Sequence, residues 1–96
     1  MKYVIDIDGI ICTNQVDCNY NNAEPIQENI DKINRLFEEN NFIVLFTARG
    51  YETGIDWLMV TEKQMEKWKV DYHELRFGKP SADFYIDDKF IDISEV

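Results

Sequence analysis

The five residues 42–46 constrain the fold of this chain more than any other segment. They read Phe-Ile-Val-Leu-Phe and are apolar at every position. A short run with no polar side chain for either face is typical of a central strand in a parallel sheet, because such a strand is covered on both sides. A second apolar and β-branched run, Lys2 to Ile7, predicts another buried strand, which ends at Asp8-Gly9.

Two segments have the spacing of amphipathic helices. The first follows Pro25, which suits a first helical turn, and Asn40-Asn41 is a suitable end because asparagine tolerates the left-handed conformation. Its apolar residues recur three or four positions apart, at Ile26, Ile30, Ile33 and Phe37. The second helix is expected from Asp56 to Lys69, with one side formed by Trp57, Thr61, Met65 and Trp68.

Two further short strands are expected near the C-terminus, at 75–77 and 84–86. Strand, helix, strand, helix, strand is the order of a small Rossmann-like α/β fold, an open parallel sheet flanked by helices. The last connection is a difficulty, because a parallel crossover needs about a dozen residues and only residues 78–83 separate these strands. Either 75–77 is not a regular strand or the connection is unusually tight.

The length and the net charge of the chain limit which classes of function are possible. With 96 residues the chain predicts a single domain, 1–96, without a second domain to act as a cap. A net charge of −9 argues against nucleic acid as a partner, since surfaces that bind nucleic acid are usually basic. No apolar run suits a membrane span or a signal peptide, so no membrane partner and a cytoplasmic location are expected. Cys12 and Cys18 have the spacing of neither a redox pair nor a zinc site.

Carboxylates collect at the ends of the predicted strands. Asp6 and Asp8 are two apart on an extended segment, so their side chains leave it on the same side. Asp87 and Asp88 follow the run 84–86, and sheets of this kind bind ligands beyond the carboxyl ends of their strands. Carboxylates so close together repel one another unless a cation relieves them, and such oxygen ligands suit Mg²⁺. A Mg²⁺ ion is therefore expected where these carboxylates meet.

Neutral and positive groups that suit a phosphate lie at neighbouring positions of the predicted sheet. Thr47 follows the central strand and offers a hydroxyl at the start of a turn whose backbone N–H groups can face an anion. Lys79 can supply a point charge, and Arg49 could bind the substrate through a bidentate fork. Together with the carboxylates and the expected metal, these are the parts of a phosphoryl-transfer site: nucleophile, acid–base, metal and cationic clamp.

The order of these residues resembles the four motifs of the haloacid dehalogenase superfamily. Asp6-Ile7-Asp8-Gly9 follows an apolar strand, Thr47 follows a second, Lys79 stands in a Gly-Lys-Pro turn, and Asp87-Asp88 follows a final strand. The resemblance covers residues 3–88. The stretch 47–50 and the double aspartate after 84–86 are most similar to small, capless phosphatases of capsule biosynthesis. Ile10 departs from the Thr or Val often found after the first motif, and only eight residues follow Asp88, so a fifth strand is expected to be absent or reduced.

The resemblance implies a role for each motif residue. Asp6 would attack phosphorus to form an aspartyl-phosphate, and Asp8 would protonate the leaving alcohol and then activate water. Mg²⁺ would be held by the Asp6 carboxylate, the Asp8 backbone carbonyl and Asp87, with Asp88 binding directly or through water. The retained Asp8 argues against a dehalogenase, which in this superfamily lacks that second acid.

The resemblance also implies a reaction and a substrate class. Thr47 and Lys79 would hold the phosphoryl group in a Mg²⁺-dependent phosphatase that acts on a sugar, polyol or organic acid phosphate, in capsule or surface polysaccharide biosynthesis. Specificity would come from the loops 10–24 and 49–56 or from a neighbouring subunit, and a homo-oligomer is expected. A phosphotransferase with the same intermediate is the alternative. A receiver-like phosphoacceptor domain fits less well. In such domains the acidic pair follows the first strand and the phosphate-accepting aspartate follows a later strand, whereas here the candidate nucleophile comes first and the acidic pair Asp87-Asp88 comes last.

Overall fold

The computed structural model describes residues 1–96 and contains one sheet of three parallel strands. The strands are β1 (Lys2–Asp6), β2 (Phe42–Phe46) and β3 (Glu74–Arg76), and they lie in the order β1-β2-β3. Helix α1 (Gln27–Glu38) joins β1 to β2, and helix α2 (Leu58–Lys67) joins β2 to β3. The prediction of a small α/β fold with an open parallel sheet in a Rossmann-like arrangement is thereby confirmed.

Strand β2 is the central strand, as its uniformly apolar sequence predicts. It pairs with β1 in a register that places Val44 beside Val4, and with β3 in a register that places Leu45 beside Leu75. Ile43, Val44 and Leu45 are buried. Because side chains alternate along a strand, Ile43 and Leu45 share one face of the sheet and Val44 lies on the other.

Both helices pack on the same face of the sheet. Ile30 and Ile33 of α1 and Met65 of α2 form one buried cluster with Ile43 and Leu45. Two successive right-handed crossovers that step in the same direction place their helices on one face. The opposite face of the edge strand β1 has no covering helix, and Val4 there is 59% exposed.

The helix ends differ slightly from the expected ones. Helix α1 begins at Gln27, two residues after Pro25, and it ends before Asn40, whose φ of 70° confirms the expected left-handed stop. Helix α2 is shorter than the predicted range 56–69. Neither helix has the length and apolar character needed to cross a bilayer.

The predicted strand at 84–86 does not form, and that prediction is wrong. Only the seven residues 77–83 separate β3 from Phe84, which is too short for a parallel crossover. Residues 83–92, called here the C-terminal arm, are instead exposed along their whole length. After the arm, a short 3-10 helix (Ile93–Glu95) returns to α1, where the Lys32 ammonium donates to the Ile93 carbonyl at 3.2 Å.

Candidate active site

An open cleft of about 300 Å³ lies beyond the carboxyl ends of β1 and β2. Its lining includes Asp6, Asp8, Tyr20, Ala48, Lys79 and Tyr85. This is the edge of a parallel sheet at which ligands bind, because the turns that follow the strands expose backbone and side-chain polar groups there. The structure therefore brings together groups that are more than 70 residues apart in the chain.

Asp6 and Lys79 form an ion pair on the cleft surface. The Lys79 ammonium lies 3.2 Å from the Asp6 Oδ2 atom, and 35% of the Asp6 side chain remains accessible. The Lys79 backbone N–H donates to the Thr47 carbonyl at 3.2 Å, and its ammonium stands 4.1 Å from the centre of the Tyr85 ring. Burial raises the pKa of Asp6 above its usual value, and the charge of Lys79 opposes that rise.

Asp8 is held by Arg49. The Arg49 Nε atom lies 3.2 Å and 3.0 Å from the two carboxylate oxygens of Asp8, and Nη2 lies 2.9 Å from Oδ1. The remaining Arg49 nitrogen, Nη1, donates to Thr61 and Gln64 of α2. Arg49 also lines the cleft, but its side chain is buried and its donors are already occupied within the chain, so in this structure it orients Asp8. Substrate binding by Arg49 stays a prediction.

Thr47 lies beneath the cleft. Its side chain is fully buried, and its hydroxyl lies 3.4 Å from Asp8 Oδ2 while it accepts the Arg49 backbone N–H at 3.1 Å. The cleft residues Asp8 and Ala48 each have a backbone N–H that donates to no acceptor in the chain. Such unpaired amides beside a lysine are suited to an anion. The Thr47 side chain does not line the cleft, and a contribution of Thr47 to anion binding through the turn that it begins stays a prediction.

The predicted metal site is not assembled within one chain. Asp87 and Asp88 lie on the exposed C-terminal arm, and no group of three or more carboxylate, thiol or imidazole side chains is placed to hold a metal ion. Asp6 and Asp8 are each paired with a cation instead. Asp87 and Asp88 do not join Asp6 and Asp8 in one cluster here, because the expected strand at 84–86 does not form. Mg²⁺ binding by the four aspartates stays a prediction.

A buried polar layer that sequence reasoning did not identify supports Arg49. The layer consists of Thr61 and Gln64 of α2 together with Cys12, whose sulfur lies 3.4 Å from Arg49 Nη2. The Gln64 amide also donates to the Tyr20 carbonyl at 2.6 Å. The sequence offered one signal for this layer, namely two polar residues three positions apart on the inward side of a helix. Buried polar groups require partners, so such a pair indicates a polar contact in the core.

Tyr20 closes one side of the cleft. Its ring packs edge-to-face on Trp57, with the ring centres 5.0 Å apart, and the Arg49 guanidinium lies 4.7 Å from its centre. Burial raises the pKa of the Tyr20 hydroxyl to about 12. The loop 10–24, expected to contribute to specificity, therefore supplies an aromatic wall beside the carboxylates.

Among solved structures, the chain is similar to the crystal structure of a structural-genomics target from Vibrio cholerae. The two sequences are 28% identical, the TM-score is 0.87, and the similarity covers 98% of this chain and 85% of that chain. No protein-family model matches the chain, and no curated protein matches it. The α/β fold is thus shared with a solved protein of similar sequence.

Proposed function

We propose that this protein is a phosphatase that hydrolyses the phosphate monoester of a small metabolite through Asp6, in the manner of the haloacid dehalogenase superfamily. The observation that carries the proposal is the meeting of Asp6 and Lys79, 3.2 Å apart, on an open cleft. A carboxylate alone would repel a phosphate. The lysine and the unpaired N–H groups of Asp8 and Ala48 offset that repulsion.

The proposed reaction has two steps. An Asp6 oxygen attacks phosphorus, the bond from phosphorus to the ester oxygen breaks, and the leaving oxygen takes a proton from Asp8. Water then attacks the phosphorus of the aspartyl-phosphate, Asp8 takes a proton from that water, and inorganic phosphate leaves with Asp6 restored. Lys79 and the backbone amides of the cleft hold the phosphoryl oxygens through both steps.

The acid role of Asp8 sets a geometric requirement. Both carboxylate oxygens accept from Arg49, so one oxygen must release a contact before it carries a proton. Arg49 is thus proposed as a positioning residue that keeps Asp8 turned toward the cleft. The Thr47 hydroxyl, 3.4 Å from Asp8 Oδ2, would restrain the same carboxylate from the interior side.

Magnesium is part of the proposal, as a resident ion that would balance the negative charge of substrate and carboxylates. Asp6 and Asp8 provide only two carboxylates, so Asp87 and Asp88 would be needed to complete the site. Both steps of the proposed reaction therefore use the chain's own side chains alone.

The substrate class follows from the cleft's shape and from the family resemblance. The cleft is open, without a cap domain, and its aromatic edge of Tyr20 and Tyr85 suits a sugar, polyol or hydroxy acid phosphate. A place in capsule or surface polysaccharide biosynthesis rests on the resemblance. Open access of water to Asp6 favours hydrolysis over a phosphotransferase, because transfer requires that the intermediate be shielded from water.

The test is phosphate release from a panel of phosphorylated sugars, polyols and hydroxy acids, with Mg²⁺ and with a chelator. Asp6→Asn is the central variant because the two side chains are nearly isosteric. We expect release that requires both Mg²⁺ and Asp6. Activity that survives Asp6→Asn would overturn the mechanism, and transfer of phosphate to an added alcohol instead of water would favour the phosphotransferase.

A further inference from the structure

The C-terminal arm exposes an unusual amount of apolar surface for a segment of this length. Phe84, Ile86, Phe90 and Ile91 are 86%, 98%, 59% and 55% exposed. Single exposed apolar residues are common, but a contiguous group of large ones on a soluble chain marks an interaction surface. Such a surface requires a partner that covers it.

The arm is presented to solvent by contacts at both of its ends. At its start the Tyr85 hydroxyl donates to the Pro80 carbonyl at 2.5 Å, and the Tyr85 ring faces Lys79. At its end Lys32 holds the Ile93 carbonyl. Because side chains alternate along an extended segment, Phe84 and Ile86 point away from the face that Tyr85 uses. The arm can thus bind another surface while the contacts at its two ends are kept.

The same chain offers a surface that lacks a partner. Strand β1 is an edge strand, and the sheet face opposite the helices is open at Val4. An open edge with an exposed β-branched residue is a template for an additional strand. The arm of the same chain does not reach it as a parallel strand, because the connection 77–83 is too short. The arm of a second copy is under no such constraint.

We propose that the protein is a homodimer in which the C-terminal arm of each copy docks along β1 of the other and delivers Asp87 and Asp88 to the other copy's cleft. The exchange is reciprocal and therefore closes as a two-fold dimer. Phe84 and Ile86 cover the open face at Val4. The two aspartates that follow then lie beyond the carboxyl end of β1, where Asp6 and Asp8 stand.

Charge supports this assignment, which rests on the proposed function for the identity of the site. In one chain the cleft contains Asp6 and Asp8 with Arg49 and Lys79, so its formal charge is zero. Two more carboxylates from the second copy would bring it to about −2, which one Mg²⁺ balances. A second copy would thus supply both the metal ligands that one chain lacks at its cleft and the surface that covers the apolar arm.

The area also suffices for a stable dimer. At roughly 150 Å² for a large apolar side chain, two arms and the surfaces that they cover would bury on the order of 1,500 Å². That is the size of a specific protein–protein interface. No further contacts between the two copies are needed to hold the dimer together.

The first experiment measures mass by sedimentation equilibrium and does not depend on activity. We expect the wild-type protein at twice its chain mass of 11.4 kDa, and Ile86→Asp at 11.4 kDa with an unchanged circular dichroism spectrum. Met59→Asp is the matched control, because Met59 is 69% exposed in the first turn of α2 and the change adds the same charge outside the arm. A monomeric wild type, or an Ile86→Asp variant that stays dimeric, would overturn the proposal.

The second experiment asks whether the site is completed by the other copy. Asp6→Asn and the double variant Asp87→Asn/Asp88→Asn are unfolded, mixed in equal amounts and refolded, with p-nitrophenyl phosphate as the probe substrate. Each variant alone is expected to be inactive. Random pairing makes about half of the dimers mixed, each with one intact site, so the mixture should recover about a quarter of wild-type activity. No recovery from a mixture that forms dimers would mean that each chain uses its own aspartates.

Metal binding separates a failure of this inference from a failure of the proposed function. Bound Mn²⁺ is measured by its electron paramagnetic resonance signal in the same three samples. We expect the mixture to bind Mn²⁺ more tightly than either variant, even if none of them hydrolyses the probe. If wild-type protein hydrolyses the probe but the mixture gains neither Mn²⁺ affinity nor activity, the proposed function stands and the shared site is overturned.

Discussion

The guanidinium of Arg49 contacts both carboxylate oxygens of Asp8, at 3.0 Å and 2.9 Å, in a buried position beneath the cleft. Planar two-point contact of this kind fixes the direction of a carboxylate as well as its charge. The other donors of Arg49 are occupied by Thr61 and Gln64, so helix α2 in turn fixes the guanidinium. The orientation of the candidate acid–base therefore depends on a helix that contributes no residue to the chemistry.

Replacement of Arg49 by lysine should impair both stability and turnover. Lysine keeps the charge but cannot contact Asp8, Thr61 and Gln64 together. We expect the free energy of unfolding to fall by about 2–3 kcal/mol, since buried polar partners are left unpaired. Urea denaturation measures the first effect and phosphate release the second. Arg76→Lys is the matched control, because its pair with Glu74 is exposed, and its urea midpoint should stay at the wild-type value. Equal midpoints for the two variants would contradict the assignment.

Asp6→Asn should stabilise the metal-free protein at neutral pH. Burial raises the pKa of Asp6, so the folded chain binds that proton more tightly than the unfolded chain does. Ionisation of Asp6 therefore costs stability above the raised pKa, and the cost disappears as the pH falls towards the usual aspartate value of 3.8. Asparagine avoids the cost at every pH.

The measurement for Asp6→Asn is a set of urea midpoints in chelator as a function of pH. We expect the variant to exceed wild type at pH 7 and the difference to shrink under acid conditions. Glu52→Gln, an exposed site outside the cleft, corrects for the loss of one negative charge from a chain of net charge −9. A variant that is less stable than wild type at pH 7 would show that the Lys79 pair outweighs burial.

The two cysteines should differ sharply in reactivity. Cys12 is fully buried, and burial together with the charge of Asp8 raises its pKa to about 12 from 9.0, so its thiolate fraction at pH 8 falls about a thousandfold. Cys18 is exposed. Titration with a chromogenic disulfide at pH 8 should modify one thiol per native chain and two per unfolded chain. Native Cys18→Ser should not react, and a fast second thiol in the native wild type would contradict the packing around Arg49.

The loop that follows Arg49 should tolerate a methyl group at one glycine and not at another. Gly50 has a φ of +80°, and a Cβ atom there would stand 2.1 Å from the Ile55 carbonyl oxygen. Gly54 has a φ of +74° with open space around it. We expect Gly54→Ala to cost about 1 kcal/mol for the left-handed backbone and Gly50→Ala to cost at least about 2 kcal/mol, because the backbone must also move. Urea denaturation of the two variants provides the comparison, and equal costs would contradict the loop path.

Local patterns in the sequence determined the strands and helices of the sheet domain. The apolar run 42–46 predicts its central strand because only a strand covered on both faces lacks polar side chains, and Asn40 predicts the end of α1 because it adopts the left-handed conformation. The meeting of Asp6, Asp8 and Lys79 at one cleft was also predictable. The carboxyl ends of parallel strands share one edge, whatever their distance in sequence.

Only the tertiary structure decided the partners of Arg49 and the position of the last two aspartates. Whether an arginine binds substrate or a neighbouring carboxylate depends on burial, and Arg49 is buried because Thr61 and Gln64 of α2 face it across the core. The run 84–86 has the composition of a strand, but a strand forms only where the connection lets the segment lie beside another strand. A connection of seven residues leaves that run on the surface, where a second copy can reach it.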